Sequence, residues 1–171
     1  LKNPIKNGLY ILEISSFQLE LIHTFRPNYA IFTNISSDHL DRHKTMKEYI
    51  KMKFRLTENM DLNDFIIYNR DDIILEKEVK KVKSKILPFS IKKTTKHFSI
   101  KDNFILNQEN KNILSLNKLS LPGNHNISNF FAAATCSKII GINENKILDI
   151  FKNFLGLEHR LEYVAKINNI E

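Results

Sequence analysis

The densest chemistry in the chain lies at Asn34-Ile35-Ser36-Ser37-Asp38-His39-Leu40-Asp41-Arg42-His43, where ten residues carry two histidines, two aspartates, an arginine and an asparagine. Core packing does not account for such a density. Polar clusters on loops that follow strands tend to bind or catalyse. A second group, Glu13-Ile14-Ser15-Ser16-Phe17-Gln18-Leu19-Glu20, sets a carboxylate at the end of an apolar run. A hard cation such as Mg²⁺ takes oxygen ligands of this kind, although taken alone a strand-end glutamate is more often a plain solvated carboxylate. A third group, Gly123-Asn124-His125-Asn126-Ile127-Ser128-Asn129, opens a helix. Free N–H donors at a helix start bind anions and polar groups, and ordinary asparagine capping is the plainer alternative. A fourth, Phe154 to Glu162, contains Arg160, whose guanidinium can grip a phosphate through two hydrogen bonds or sit in a surface ion pair. The six histidines include no H-E-x-x-H pattern and there is one cysteine, so a zinc centre is not supported. A serine hydrolase is not supported either, because no G-x-S-x-G elbow occurs.

The elements that must position these groups alternate. Residues 9–14 read as a short buried strand, and Ser15-Ser16 as an N-cap pair before a helix at 17–22. Tyr29 to Thr33 reads as a second strand, 34–43 as a polar loop, and Met46 to Met60 as a helix with Tyr49, Phe54 and Leu56 among its apolar members. A third strand, Phe65 to Tyr68, closes in Asn69-Arg70-Asp71-Asp72, followed by a helix to about Lys83 and a strand at Ile86-Leu87. This alternation predicts an α/β fold, a mostly parallel sheet flanked by helices. Ligands of such sheets sit at the carboxyl ends of strands, where Glu13, Asn34 and Asn69 are expected. Residues 96–121 break into short alternating runs between polar turns, which predicts a small antiparallel subsheet. Helices are expected at 126–140 and 144–154, and a strand at 162–167.

Composition narrows the class. A chain of 171 residues with 42% hydrophobic residues can bury one core. It contains no apolar run long enough to span a membrane, and with no apolar h-region in its first residues no secretory signal is expected. The formal charge is +7, carried by scattered lysines amid many asparagines and isoleucines. No nucleic-acid-binding motif accompanies it, so a solvated basic surface is expected rather than a DNA or RNA partner. Cys136 alone cannot form an internal disulfide, which fits a reducing cytoplasm, and its apolar helical setting predicts a buried small hydrophobe.

Taken in order, E-I-S-S-F-Q-L-E at 13–20, N-I-S-S-D-H-L-D-R-H at 34–43, Y-N-R-D-D at 68–72, G-N-H-N at 123–126 and G-L-E-H-R-L-E at 156–162 resemble the Mur ligases, and the match spans nearly the whole chain. The S-S-F-Q-L-E core is most similar to the branch that adds D-glutamate to UDP-N-acetylmuramoyl-L-alanine. A sister amide ligase, including one that extends folate with glutamate, is the alternative within the superfamily. The resemblance implies the central P-loop-like ATP-binding domain of a cytoplasmic, monomeric ligase acting in peptidoglycan synthesis, with ATP and two Mg²⁺ ions. It implies that Glu13 and His39 bind metal and that Lys53 does so as a carbamate. It also implies that Asn126, Asn129 and Arg160 contact the nucleotide and that Ser15 touches the muramoyl substrate. Lys51 competes with Lys53, but two helical residues apart the side chains point about 160° apart. The sequence departs from the family in three ways. None of its four glycines precedes lysine, so the G-x-x-G-K-[ST] phosphate loop is absent. The UDP-binding and glutamate-binding domains are likewise not represented, so a partial sequence, inactive alone, is expected. Arg70 stands where a small residue is expected in the N-x-D-D turn.

Overall fold

The computed structural model describes residues 6, 8–38, 40–121 and 123–157. They fall into two compact units, one built from residues 1–27 and 36–60, the other from 28–35 and 61–171.

In the larger unit, β1 (Tyr29–Phe32), β2 (Phe65–Asn69) and β3 (Lys85–Phe89) form a parallel sheet in the order β1-β2-β3, with Tyr29 opposite Phe65 and Ile67 opposite Leu87. The central strand buries Ile66, Ile67 and Tyr68 in succession. Such an unbroken apolar run is what a parallel strand covered on both faces requires. Helix α4 (Ile73–Glu78) packs against β2 and buries Leu75. Helix α5 (Asn124–Ile139) packs on β2 and β3 with Ile127, Phe130, Phe131, Ala132 and Ala134 buried. Helix α6 (Glu144–Asn153) adds Ile147, Leu148 and Phe151 from one face. Its Asn143 cap accepts from the Asn145 N–H at 2.8 Å.

The expected antiparallel subsheet is present as β4 (Phe98–Lys101), β5 (Phe104–Asn107) and β6 (Asn112–Ser115). The β4–β5 turn is the pair Asp102-Asn103, with φ of 49° and 64°. A two-residue hairpin of type I′ needs two left-handed residues, and Asp and Asn adopt that region more readily than other non-glycine residues. Phe98, Ile105 and Leu114 bring this sheet into one core with Ile67, Phe89, Phe131 and Phe151. Cys136 packs against that core, half-buried, and burial pushes its thiol pKa up, as expected of a structural cysteine.

His97, just before β4, has both ring nitrogens buried with no hydrogen-bond partner among the described residues. Burial, with Lys96 and Lys138 nearby, holds its pKa below the usual histidine value of 6.5. A folded-state pKa below the unfolded one means that the unfolded chain binds the proton better. The contribution of His97 to stability is therefore complete above about pH 6.5 and declines as pH falls toward the folded value. His97→Phe is expected to flatten the fall in thermal midpoint between pH 7 and pH 5. An unchanged acid slope would exclude His97 as its source.

In the smaller unit, α3 (Met46–Phe54) runs into a 3₁₀ turn at Arg55–Thr57 and packs against α1 (Ser16–Leu19) and α2 (Leu40–His43). Thr45 caps α3 by accepting from the Glu48 N–H at 3.2 Å. The helix expected at 17–22 is shorter, and its end has a cause. Arg55 donates to the carbonyls of Glu20 and Ile22, each at 2.8 Å, and Asn59 donates to those of His23 and Phe25. Beyond Leu19 the backbone continues only in long i→i−3 bonds, from the Leu21 N–H to the Gln18 carbonyl at 3.3 Å and from the Ile22 N–H to the Leu19 carbonyl at 3.5 Å, while these side chains take up the carbonyls that follow.

Residues 9–14 correct the expectation of a buried strand. No described strand forms a ladder with them, and Leu9, Tyr10, Ile11 and Leu12 are exposed, Ile11 by 88%. A strand with apolar residues on both faces is buried only between sheet neighbours under cover on each side, and β1 to β3 pair only among themselves. The strand expected at 162–167 lies outside the described residues.

Candidate functional site

In the smaller unit the candidate residues are Ser15 and Glu13, at and before the start of α1, and Lys53 on α3. Ser15 caps α1 in a reciprocal box: its hydroxyl accepts from the Gln18 N–H at 3.4 Å, and the Gln18 side-chain oxygen accepts from the Ser15 N–H at 2.8 Å. This box fixes the direction in which the chain leaves Glu13, two residues earlier. Glu13 is exposed and lines an open hollow of about 460 Å³ with Leu12, Gln18, Leu21, His23 and Phe25. Lys53, in the last turn of α3, is half-buried, with Nζ 5.5 Å from the Tyr49 ring centre. Lys51, its competitor, is exposed. Tyr49 is 5% exposed, and burial together with Asp38 pushes its phenol pKa up. Lys53 is thus partly covered and lies over the buried Tyr49 ring, whereas Lys51 is open to solvent.

Sequence reasoning did not single out His43. It is only 6% exposed, and its Nε2 lies 2.9 Å from the Ser16 hydroxyl. Ser16, read as half of an N-cap pair, is instead inside α1 and 1% exposed. His39 lies outside the described residues, as does Arg160.

In the larger unit the site is the carboxyl end of the parallel sheet. Asn34 is exposed just beyond β1, and Asn69 ends β2. Asn69 accepts from the Asp71 N–H at 2.9 Å and reaches Ser128 Oγ on α5 at 3.5 Å. Asn126 is half-buried and Asn129 exposed; three apart on α5, they share a helix face, whereas Ser128, which meets Asn69, points about 160° from Asn126. Gly123 makes this start possible. Its φ is 95°, and a Cβ there would meet the His125 ring at 2.9 Å. The positive φ is what calls for glycine, since the exposed His125 ring can turn aside.

The Asn69–Asp72 turn is a bracket. Asp71 accepts from Ser90 Oγ at 2.7 Å and from the Ile91 N–H at 2.9 Å, joining the ends of β2 and β3. Asp72 caps α4 through the Ile74 and Leu75 N–H groups at 2.8 and 3.0 Å, and its other oxygen accepts from the Ile35 N–H at 2.7 Å, just beyond β1. Arg70 follows the strand and lies 3.9 Å from Glu76, which also accepts from the Tyr68 hydroxyl at 2.6 Å. Burial, with that bond, drives the Tyr68 phenol pKa upward. Asp72→Ala removes a helix cap and a bond between strand ends. It is expected to lower stability by about 1–3 kcal/mol, readable as a lower thermal midpoint, with Asp72→Asn recovering part of the loss. An unchanged midpoint would refute the bracket.

The fit to a hard divalent cation rests on the donor set. Among the described residues, no three His, Cys, Asp or Glu side chains gather in a way that could hold a metal. Glu13 supplies one exposed carboxylate. Mg²⁺ is commonly held by one or two carboxylates, with the remaining ligands drawn from substrate phosphates and water. One carboxylate on an open hollow suits that mode. An ammonium repels a cation, so Lys53 fits only after its charge is reversed.

The chain matches the Mur ligase middle domain over residues 5–137. It is 37% identical over 166 residues to a UDP-N-acetylmuramoylalanine–D-glutamate ligase of Caldanaerobacter subterraneus, covering 96% of this chain and 37% of that protein. It is 40% identical over 167 residues to the protein of that name from Christiangramia forsetii, with 94% and 38% covered. The chain therefore spans a little over a third of the length of these relatives. Among solved structures it is similar in fold to a UDP-N-acetylmuramoyl-L-alanyl-D-glutamate–2,6-diaminopimelate ligase, with a TM-score of 0.69 at 22% identity over 89% of this chain and 34% of that one. A MurF ligase from Thermotoga maritima in complex with ADP gives 0.60 at 16% identity, over 82% and 34%. Parallel sheet, antiparallel subsheet, the ordered motifs and these matches agree: the chain belongs to the Mur ligase family, as a middle domain.

Proposed function

We propose that this chain is the ATP-handling middle part of a longer, monomeric, cytoplasmic ligase that joins D-glutamate to UDP-N-acetylmuramoyl-L-alanine in peptidoglycan precursor synthesis. The observation that carries the reading is the identity of 37–40%, across nearly the whole chain, to ligases of that name. A free carboxylate is a poor acyl donor. In this reading ATP transfers its γ-phosphoryl group to the L-alanine carboxylate, giving ADP and an acyl phosphate. The D-glutamate amine attacks the acyl carbon, the amide bond forms as the carbon–oxygen bond to phosphate breaks, and a proton leaves the nitrogen. Positioning and charge stabilisation carry most of such a phosphoryl transfer.

The residues divide the work. Glu13, His39 and Lys53 as a carbamate would hold two Mg²⁺ ions, which when bound offset the repulsion between the carboxylate and the γ-phosphate. Carbamylation joins the neutral Lys53 amine to CO₂ with release of a proton, and turns a cation into an oxygen donor. The half-burial of Lys53 and the exposure of Lys51 support Lys53 for this role. Asn126 and Asn129, on one face of α5, would bind the adenine side of ATP, and Arg160 the nucleotide. Ser15 would touch the muramoyl substrate with whatever hydrogen-bonding capacity its cap leaves free.

The test is amino-acid-dependent ADP release by the full-length enzyme with UDP-N-acetylmuramoyl-L-alanine. D-glutamate should support release, whereas L-alanine, L-lysine and diaminopimelate should not. Release driven by one of those three, or by glutamate with a folate acceptor, would move the chain to a sister ligase.

A further inference from the structure

We propose that His43 is a positioning residue that sets the placement of Lys53 relative to Glu13, and through it the affinity of the site for its divalent cation. The inference rests on the metal roles given above to Glu13 and Lys53.

Burying an imidazole is costly unless its polar atoms are used. His43, the last residue of α2, is buried and bonded to an equally buried hydroxyl, Ser16 Oγ, 2.9 Å away and 27 residues distant in sequence. Its ring stacks on Phe17 at 5.6 Å and 11°, and meets Tyr49 at 5.3 Å and 41°. Phe17, His43 and Tyr49 form a row of rings, and at its far end Lys53 Nζ lies over the Tyr49 face. Arg42 ties α2 to α1 a second time. It pairs with Glu20 at 2.7 Å and places its guanidinium 5.3 Å from the Phe17 ring centre. That pair is largely exposed and adds little, which leaves the buried bond as the stronger tie.

The spacing gives this tie its consequence. Ser16 and Phe17 lie three and four residues after Glu13, in the helix whose cap fixes the direction of the Glu13 segment. Tyr49 lies four residues before Lys53 on α3, so the two side chains are neighbours on one helix face. His43 touches both groups, with a hydrogen bond and a ring on one side and a ring on the other. The Ser16–His43 pair is not a nucleophile and its base. Both side chains are closed off from solvent, so neither reaches a substrate.

Partners that orient the ligands of a metal site commonly change metal affinity by about 10- to 100-fold when lost. His43→Phe keeps a ring against Phe17 and Tyr49 and removes the nitrogen. In the full-length ligase it is expected to raise the Mg²⁺ concentration giving half-maximal turnover by about tenfold, with kcat at saturating Mg²⁺ and KM for D-glutamate little changed. Ser16→Ala deletes only the hydroxyl and is expected to give the same shift. The double variant should give no more than either alone, because one bond is lost in all three. A purely structural bond would instead lower the thermal midpoint and leave the Mg²⁺ dependence untouched, and that result, or additive shifts, would overturn the proposal. Glu13→Ala separates the layers. If it shifts the Mg²⁺ dependence and His43→Phe and Ser16→Ala do not, His43 has no positioning role. If Glu13→Ala shifts nothing, the metal reading falls and this inference falls with it.

Discussion

In the full-length ligase, Lys53→Ala is expected to lower D-glutamate-dependent turnover by roughly 10²–10³-fold, and Glu13→Ala by a comparable factor. Removing one preorganised group that stabilises developing charge typically costs that much. The two losses arise differently. Glu13→Ala deletes an exposed carboxylate from the wall of the hollow beside α1. Lys53→Ala deletes a half-buried amine that, in the proposed reading, would become an oxygen ligand only after reacting with CO₂. Lys53→Arg keeps a positive charge near Tyr49 but cannot form the carbamate, and should be as inactive as the alanine variant. A short carboxylate such as propionate, diffusing into the space left by Lys53→Ala, should restore part of the rate and do nothing for Lys53→Arg. Lys51→Ala should stay near the wild-type rate. Steady-state kinetics of these variants checks the assignment, and near-normal turnover of Lys53→Ala would remove Lys53 from the site.

The second large effect concerns stability. Phe131 is fully buried on α5, with its ring 5.9 Å from that of Phe98 on the antiparallel subsheet. Truncating a buried phenylalanine costs about 3–5 kcal/mol through lost transfer energy and the cavity left behind. A domain stable by only about 5–15 kcal/mol tolerates that poorly. Phe131→Ala should lower the thermal midpoint by on the order of 6–20 °C for a unit of this size and open the α5 region to proteolysis. Phe104→Ala, at an exposed position of β5, should cost about 1 kcal/mol or less. Equal losses at the two positions would show that the core is not where the buried side chains place it.

The sequence made much of the larger unit legible because its signals are local. Phe65-Ile66-Ile67-Tyr68 is an unbroken apolar run between polar turns, and it is the doubly covered centre of the parallel sheet. Asp102-Asn103 has the residue types a two-residue hairpin demands, and Glu144 to Asn153 shows one apolar face at helical spacing. What the sequence hid depends on partners far along the chain. His43 looked like part of a polar loop because its bond to Ser16 spans 27 residues. The Asn-Arg-Asp-Asp turn looked like a loop, while Asp72 in it reaches back 37 residues to Ile35. Leu9 to Leu12 carry the pattern of a buried strand, and no local pattern tells whether sheet neighbours are present to bury it. The site divides in the same way. Glu13 and Asn69 stood out because a polar residue ended an apolar run. The case for Lys53 over Lys51 drew on family resemblance and helical spacing, and now also on their difference in burial.

Glu13 and Lys53, with His39, are proposed to share divalent ions with the phosphates of ATP. Anomalous diffraction from crystals of the full-length ligase grown with Mn²⁺ and a non-hydrolysable ATP analogue tests it most directly. Mn²⁺ is expected to bind the Glu13 carboxylate and a carbamate on Lys53 Nζ, at the short distances typical of hard cations and oxygen, about 2.0–2.3 Å. Mn²⁺ bound away from both side chains, with Lys53 still an unmodified cation over the Tyr49 ring, would contradict it.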